Sequence, residues 1–279
     1  MVGGIEELKH ALSEKTKIVA MLAPSFVVNF SYPQIITQLK DLGIDKVVEL
    51  TFGAKLVNKE YHDALKKSKG LMITSVCPGS VFTINQKMPK YTAKLARIDS
   101  PMIAMAKICK KIYPKHKILF ISPCNFKKME ADKRGYVDIV LGANELQQLF
   151  DERKIKPRKV KGKVMFDKFY NDYTKIYPIA GGLSKTAHLA GVLKPGEEKS
   201  IDGIDNVMRF LKKPDKTVKF LDANFCKGGC IGGPNLKQDI SIDERRKKVL
   251  RYLKKSKKEK MPPGFKGVFN KAKGIKFRY

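Results

Sequence analysis

Leu71-Met72-Ile73-Thr74-Ser75-Val76-Cys77-Pro78 carries a short apolar strand straight into a cysteine, and the same arrangement returns twice. Lys117-Ile118-Leu119-Phe120-Ile121 reads as a strand running into Cys124, and Thr217-Val218-Lys219-Phe220-Leu221 as one ending just before Cys226. Short apolar runs bounded by turn residues fit buried strands. Open α/β folds bind ligands at the carboxyl ends of their strands. Each cysteine motif therefore sits where such a fold would place a ligand.

Strand and helix alternate outward from these segments. Lys17-Ile18-Val19-Ala20-Met21-Leu22 reads as a buried strand ended by Ala23-Pro24-Ser25. Tyr32 to Leu42 has helical spacing with Gly43 as the stop, Asp45 to Thr51 is the next strand, and Gly53 to Lys67 a helix. Ser100 as N-cap and Pro101 at the first helical position open another helix, stopped by Pro114. Met102, Met105, Ala106 and Cys109 share one face of it, while Lys107, Lys110 and Lys111 fall on the other. Val137 to Leu141 is a strand, Asn144 caps a helix to about Ile155, and Gly181-Gly182 opens one through Leu189. Such short βαβ units imply mostly parallel sheets flanked by helices. The expected division is a first α/β lobe over residues 1–115, a second over 116–240, and a basic C-terminal tail over 241–279. Asp243 to Lys258 reads as a basic helix in that tail. Beyond the last motif and weakly periodic, the tail is expected to be dispensable for the site.

The chain has 279 residues, a length that suits one large domain or two lobes. Its apolar content is ordinary for a globular protein, and no apolar run is long enough to span a bilayer. Residues 1–13 are polar and carry Glu6 and Glu7, unlike a signal peptide, so a cytoplasmic protein is expected. Five cysteines are too few and too irregularly spaced for a secreted disulfide frame.

The formal net charge is +30. From Asp243 to Tyr279 there are 15 Lys and Arg against 3 Asp and Glu, which concentrates +12 of that total at the C-terminal end. Such charge attracts polyanions and acidic proteins. No nucleic-acid motif accompanies it, so a solvated Lys-rich surface is favoured over nucleic-acid binding.

Four cysteines then define the chemistry. Cys226 and Cys230 flank Lys227-Gly228-Gly229 in a tight turn. With Cys77 and Cys124 they supply the four thiolates of a 4Fe–4S cubane. Spacing alone leaves zinc as the runner-up. Cys109 lies on the apolar face of its helix and reads as a core residue. Lys127, Lys128 and Glu130 follow Cys124, and on charge alone they read as a solvated helix start.

The three cysteine segments resemble the three H-cluster signatures of FeFe-hydrogenases. Ser100-Pro101-Met102-Ile103-Ala104-Met105, Phe52-Gly53-Ala54 and Ile179-Ala180-Gly181-Gly182-Leu183 also have counterparts in that family. The resemblance covers roughly Ile18 to Leu236. It points to short, divergent members of the family formed by the C-terminal domain of the iron hydrogenase large chain. It implies two lobes with the metal site in the cleft between them. Cys77, Cys124, Cys226 and Cys230 would be the cubane ligands, and the Cys230 sulfur would bridge to a two-iron subsite with carbonyl and cyanide ligands. Lys127 matches the lysine that contacts a cyanide, and Ser100 and Glu60 match members of the proton path.

The departures from the family pattern are specific. Val76 stands where the family has a proton-relaying cysteine, Ser80 where it has an aromatic residue, and Ser122 where it has methionine. The third signature is shortened to Gly232-Gly233-Pro234-Asn235. No second set of ferredoxin-type cysteines is present, so electrons would reach the single cubane directly. The resemblance implies a minimal FeFe-hydrogenase, an oxidoreductase served by hydrogenase maturation proteins. The basic surface would steer an acidic carrier such as ferredoxin to it. The competing expectation, favoured by Val76, is a non-catalytic iron–sulfur sensor or cluster carrier.

Overall fold

A computed structural model describes residues 3–160 and 162–279. The N-terminal reading begins at Met1, which with Val2 lies outside the described residues. The strands are β1 (Ile18–Leu22), β2 (Lys46–Glu49), β3 (Met72–Ile73), β4 (Lys117–Ser122), β5 (Ile139–Gly142), β6 (Glu198–Asp202) and β7 (Phe220–Asn224). The helices are α1 (Ile5–Ser13), α2 (Gln34–Asp41), α3 (Thr51–Leu65), α4 (Pro78–Lys87), α5 (Pro101–Ile112), α6 (Phe126–Arg134), α7 (Ala143–Glu152), α8 (Gly182–Thr186), α9 (Ile204–Lys212) and α10 (Ile242–Lys257).

The strands form two parallel sheets, ordered β2-β1-β4-β5 and β3-β7-β6. Every residue of β1 is buried, because helices cover both faces of its sheet. Val19 and Met21 face α3 and α5, while Ile18, Ala20 and Leu22 pack with α1, α2, α7 and α10. Ile73, Leu221 and Ala223 of the second sheet pack against Ile84 of α4 and Val207 and Leu211 of α9. The parallel α/β architecture expected from the sequence is therefore present.

The lobes do not divide the chain at residue 115. β4 pairs with β1, and β3 pairs with β7, so each sheet draws strands from both halves. The pairing partners lie far apart in sequence, and local periodicity carries no record of them.

The segment beyond residue 240 is not a tail. Val249 and Tyr252 of α10 enter the core with Phe26 and Ile35. The Tyr279 N–H donates to the Arg97 carbonyl, and the Asp99 N–H to that of Phe277. Most basic residues of α10 are on its solvated side, which makes the segment look like a tail, while Arg245, Val249, Tyr252 and Ser256 are buried.

Smaller boundaries also shift. The Ser100 cap stands, with its hydroxyl accepting the Ile103 N–H at 3.5 Å. The helix expected to be capped by Asn144 is capped two residues earlier by Gly142, because Glu145 reaches back to the Gly142 N–H at 2.6 Å. The strand expected over 217–221 is displaced to Phe220–Asn224. Among the described residues, no helix is long and apolar enough to cross a membrane.

Candidate metal centre

Three strand ends build the site. β3 stops at Ile73, and Cys77 becomes the N-cap of α4, with Pro78 at its first helical position. β4 stops at Ser122, whose hydroxyl donates to the Cys124 carbonyl at 2.7 Å and accepts the Cys124 N–H at 3.2 Å, fixing the turn into α6. β7 stops at Asn224, two residues before Cys226. Cys230 then lies in a short 3-10 turn, Gly229–Gly232.

These loops are locked together. The Asn235 N–H donates to the Pro123 carbonyl at 3.1 Å, joining the third cysteine loop to the second. The Phe225 N–H donates to the Cys77 sulfur at 3.4 Å, joining the third to the first. Gly229 adopts φ +82°, and a Cβ there would come within 2.6 Å of the Ala180 nitrogen. Gly79 likewise lets the Phe126 and Phe225 rings close over the start of α4, where a Cβ would meet both below 3.0 Å. The Ile179 to Leu183 segment singled out in the sequence is thus the wall against which Cys226 to Cys230 is folded.

The thiols sense one another. Burial pushes Cys124 up to about 11, against the pull of Lys127. It pushes Cys226 up to about 12, reinforced by Cys77 and Cys124. Cys230 is raised further, first by burial and then by Cys77 and Cys124. Such thiols give up their protons to a metal rather than to water. The start of α6 points the N–H groups of Phe126 and Lys127 at Cys124, so backbone dipoles favour the anionic sulfur. Among the described residues, no three Cys, His, Asp or Glu side chains converge tightly enough to share one metal ion. A structural zinc would need four donors within about 2.3 Å of one point. Three loops supply four thiols, the number that either a zinc ion or a 4Fe–4S cubane takes. Cys109 is fully buried in the α5 core, as expected.

A cavity of about 70 Å³ adjoins Cys77 and Cys230 and is walled by residues from both sheets. That is room for roughly five waters, or for a small inorganic group. Lys127 is among its lining residues. The sequence's charge pattern alone placed Lys127 on a solvated surface, yet it is only 7% exposed. Its ammonium lies 2.6 Å from Glu130 Oε2 and donates to the Val76 carbonyl at 3.3 Å. Burial pulls its pKa down, but Glu130 and the thiols of Cys124 and Cys230 more than offset this, so it stays charged. Val76 itself lines the cavity and brings no titratable group to it.

The other two residues singled out by resemblance stand apart from the cavity. Ser100 is buried as the α5 cap. Glu60 is held by Arg278 at 2.5 Å in a partly exposed pair. Among the described residues, no hydrogen bond links Ser100 to Glu60. Two lining residues were missed. Asp222 has one carboxylate oxygen buried without a partner, and the Tyr177 hydroxyl is buried without one too. Asp222 falls one position beyond the strand expected from the sequence. An aspartate inside an apolar strand was the available signal.

Known proteins are similar to this chain in sequence and in fold. The family described as "Iron only hydrogenase large subunit, C-terminal domain" matches residues 16–234. Iron hydrogenase 1 of Clostridium pasteurianum is 26% identical over 82% of this chain and 52% of its own length. The cytosolic Fe-S cluster assembly factor NAR1 of Encephalitozoon cuniculi is 24% identical over 72% of this chain and 62% of its own. The chain thus spans about half to three fifths of the length of these relatives. The solved apo [FeFe]-hydrogenase HydA1 of Chlamydomonas reinhardtii superposes with a TM-score of 0.68 at 18% identity, covering 94% of this chain and 90% of that one. A HydA structure from a study of stepwise H-cluster assembly gives 0.64 at 18%. At that identity these structures establish the fold.

Proposed function

The chain belongs to the family formed by the C-terminal domain of the iron-only hydrogenase large chain, and we propose that it is a minimal FeFe-hydrogenase with a single cubane. The observation that carries this reading is Lys127. A buried ammonium on the wall of a small, largely apolar cavity between Cys77 and Cys230 suits an anionic inorganic group. A cluster carrier that only holds and releases a cubane has no evident need for it.

The four thiolates of Cys77, Cys124, Cys226 and Cys230 would hold the cubane, and Lys127 would orient a cyanide-bearing two-iron subsite. When bound, the cubane supplies electrons and the two-iron subsite the dihydrogen chemistry. The apolar lining keeps bulk water from the reacting group. Ser100 and Glu60 would belong to the outer part of a proton path. An acidic one-electron carrier such as ferredoxin would be steered by the +30 charge, and maturation proteins would insert the subsite.

Two observations favour a second reading, a non-catalytic iron–sulfur carrier or sensor. Val76 offers no proton relay at the cavity, and one relative is named as an assembly factor. Val76→Cys separates the two. In a hydrogenase limited by proton delivery, restoring the thiol should raise dihydrogen production in matured protein by 10²-fold or more, since general acid–base groups contribute about 10²–10⁴-fold. Cluster content should not change. A silent Val76→Cys variant in protein that is also silent as wild type favours the carrier.

A further inference from the structure

The cavity keeps a carboxyl group that no sequence motif announced. Asp222 lies on β7, four residues before Cys226, and lines the same cavity as Cys77, Lys127 and Cys230. It is 2% exposed. Its Oδ1 accepts the Asn224 side-chain amide at 3.3 Å, while Oδ2 is buried without a hydrogen-bond partner. A buried carboxylate oxygen without a partner is costly and calls for an explanation.

Two hydroxyls, those of Ser184 and Ser200, stand between this carboxyl and the surface. Ser184 on α8 approaches Asp222 with both its backbone N–H and its side chain. Ser200 on β6 donates to the Ser184 hydroxyl at 3.2 Å. Ser200 is exposed, Ser184 buried. Ser200 and Asp222 are register partners in adjacent parallel strands, so their side chains stand on one face of the sheet. The route thus runs from surface to cavity along one sheet face, whereas Val76 on the cavity wall can carry no proton.

We propose that Asp222 is the proton-exchanging acid of this cavity, supplied from solvent through Ser200 and Ser184. The inference rests on the hydrogenase reading of the site. Asp222 gives its proton to an acceptor in the cavity and is reprotonated by the Ser184 hydroxyl. Ser184 in turn takes one from Ser200, and Ser200 from water. Each hydroxyl accepts one proton and releases one, and the electrons come separately from the one-electron carrier through the cubane.

The surroundings of Asp222 support the assignment. Tyr61 on α3 and Glu198 on β6 act on it electrostatically, and Tyr177 borders it in the cavity. Burial raises the Asp222 carboxyl to about 6, close to the pH at which an acid both keeps and releases a proton readily. Burial raises the Tyr177 phenol well above its ordinary value, so it is a poor proton donor at neutral pH. Tyr177 is the competitor that the experiment must separate.

The test compares wild type with Asp222→Asn, Asp222→Glu, Ser184→Ala and Tyr177→Phe in the full chain. The first readout needs only the cubane-loaded protein. An infrared band of a protonated carboxyl should be present below about pH 6, vanish in Asp222→Asn, and exchange with deuterated water at least about tenfold more slowly in Ser184→Ala. The second readout is dihydrogen–deuterium exchange by matured protein. Asp222→Asn should lower it by about 10²–10⁴-fold, with Asp222→Glu recovering most of it and carbonyl and cyanide bands unchanged. Two results overturn the route: an Asp222→Asn variant within about twofold of wild type, or Tyr177→Phe rather than Asp222→Asn removing activity. Matured wild type without carbonyl and cyanide bands refutes the hydrogenase reading instead. Carboxyl exchange then decides the route alone, and a rate untouched by Ser184→Ala sinks it.

Discussion

Tyr252 donates a 2.6 Å hydrogen bond to Glu49 Oε1 across 203 residues of chain, tying α10 to the end of β2. Glu49 Oε2 accepts from Lys175 at 2.5 Å, and all three groups are buried. In the first turn of α10, the Arg245 guanidinium donates to the Ile231 carbonyl at 3.0 Å, one residue past Cys230. The C-terminal helix therefore buttresses both the core and the third cysteine loop.

Truncation after Asp239 is accordingly expected to lose the iron–sulfur absorbance along with the fold. Tyr252→Phe is the finer probe. It removes two hydrogen bonds to charged groups, to Glu49 and from Lys175, and should lower the unfolding free energy by at least about 1.5–3 kcal/mol without changing iron content. A truncated protein that keeps its full absorbance would show that α10 is dispensable.

On the proposed assignment four cysteines are ligands and Cys109 belongs to the core. Alanine at Cys77, Cys124, Cys226 or Cys230 should abolish or badly destabilise the cluster after anaerobic reconstitution. Cys109→Ala should retain all the iron and cost only roughly 1 kcal/mol of packing. Iron analysis of the five variants decides this, and an essential Cys109 would overturn the ligand assignment.

Asp222 also leaves a mark on stability. Its carboxyl rises from 3.8 to about 6 on folding, so between these values the folded chain holds more protons than the unfolded one. Stability from this group is present at low pH and is lost as pH rises from about 4 through about 6. Asparagine suffers no such loss. Asp222→Asn should therefore match wild type near pH 4 and exceed it by up to about 3 kcal/mol above pH 7. Denaturant melts of the two proteins at both pH values make the comparison, and a difference independent of pH would contradict the buried, unpartnered carboxylate.

The +30 charge makes a kinetic prediction. Reduction by an acidic ferredoxin should slow steeply with added salt, because exposed charges are screened beyond a Debye length of ~10 Å at 0.1 M. A stopped-flow rate that stays flat from low to high salt would return the charge to a solvated surface.

How much of this was legible in the sequence depends on the range of the interaction. The Ser100-Pro101 helix start is written in adjacent residues, and it stands. The apolar runs of β1 and β4 announce themselves because both sheet faces are covered. β6 was not recognised: Glu198-Lys199-Ser200-Ile201-Asp202 is a polar edge strand, with no apolar pattern to mark it. α4 was not recognised either, since Cys77-Pro78-Gly79 reads as a break when Pro78 in fact begins the helix.

The four cysteines proposed as ligands could be picked out of the chain, but not the environment around them. Four cysteines and their strand ends could be read from one chain. The burial of Lys127 could not, because it depends on Glu130 and on a loop that ends with Val76, 51 residues earlier. Asp222 left only the faint signal of an acid in an apolar strand, its significance arising where β7 meets α8 and the cavity.

Whether this cavity holds a two-iron subsite beside the cubane is decided by the infrared spectrum of the matured full chain. Bands of iron-bound carbonyl and cyanide are expected, and they should weaken when Lys127 is replaced by methionine. Protein that carries its full cubane after maturation yet shows no such bands would contradict the hydrogenase assignment.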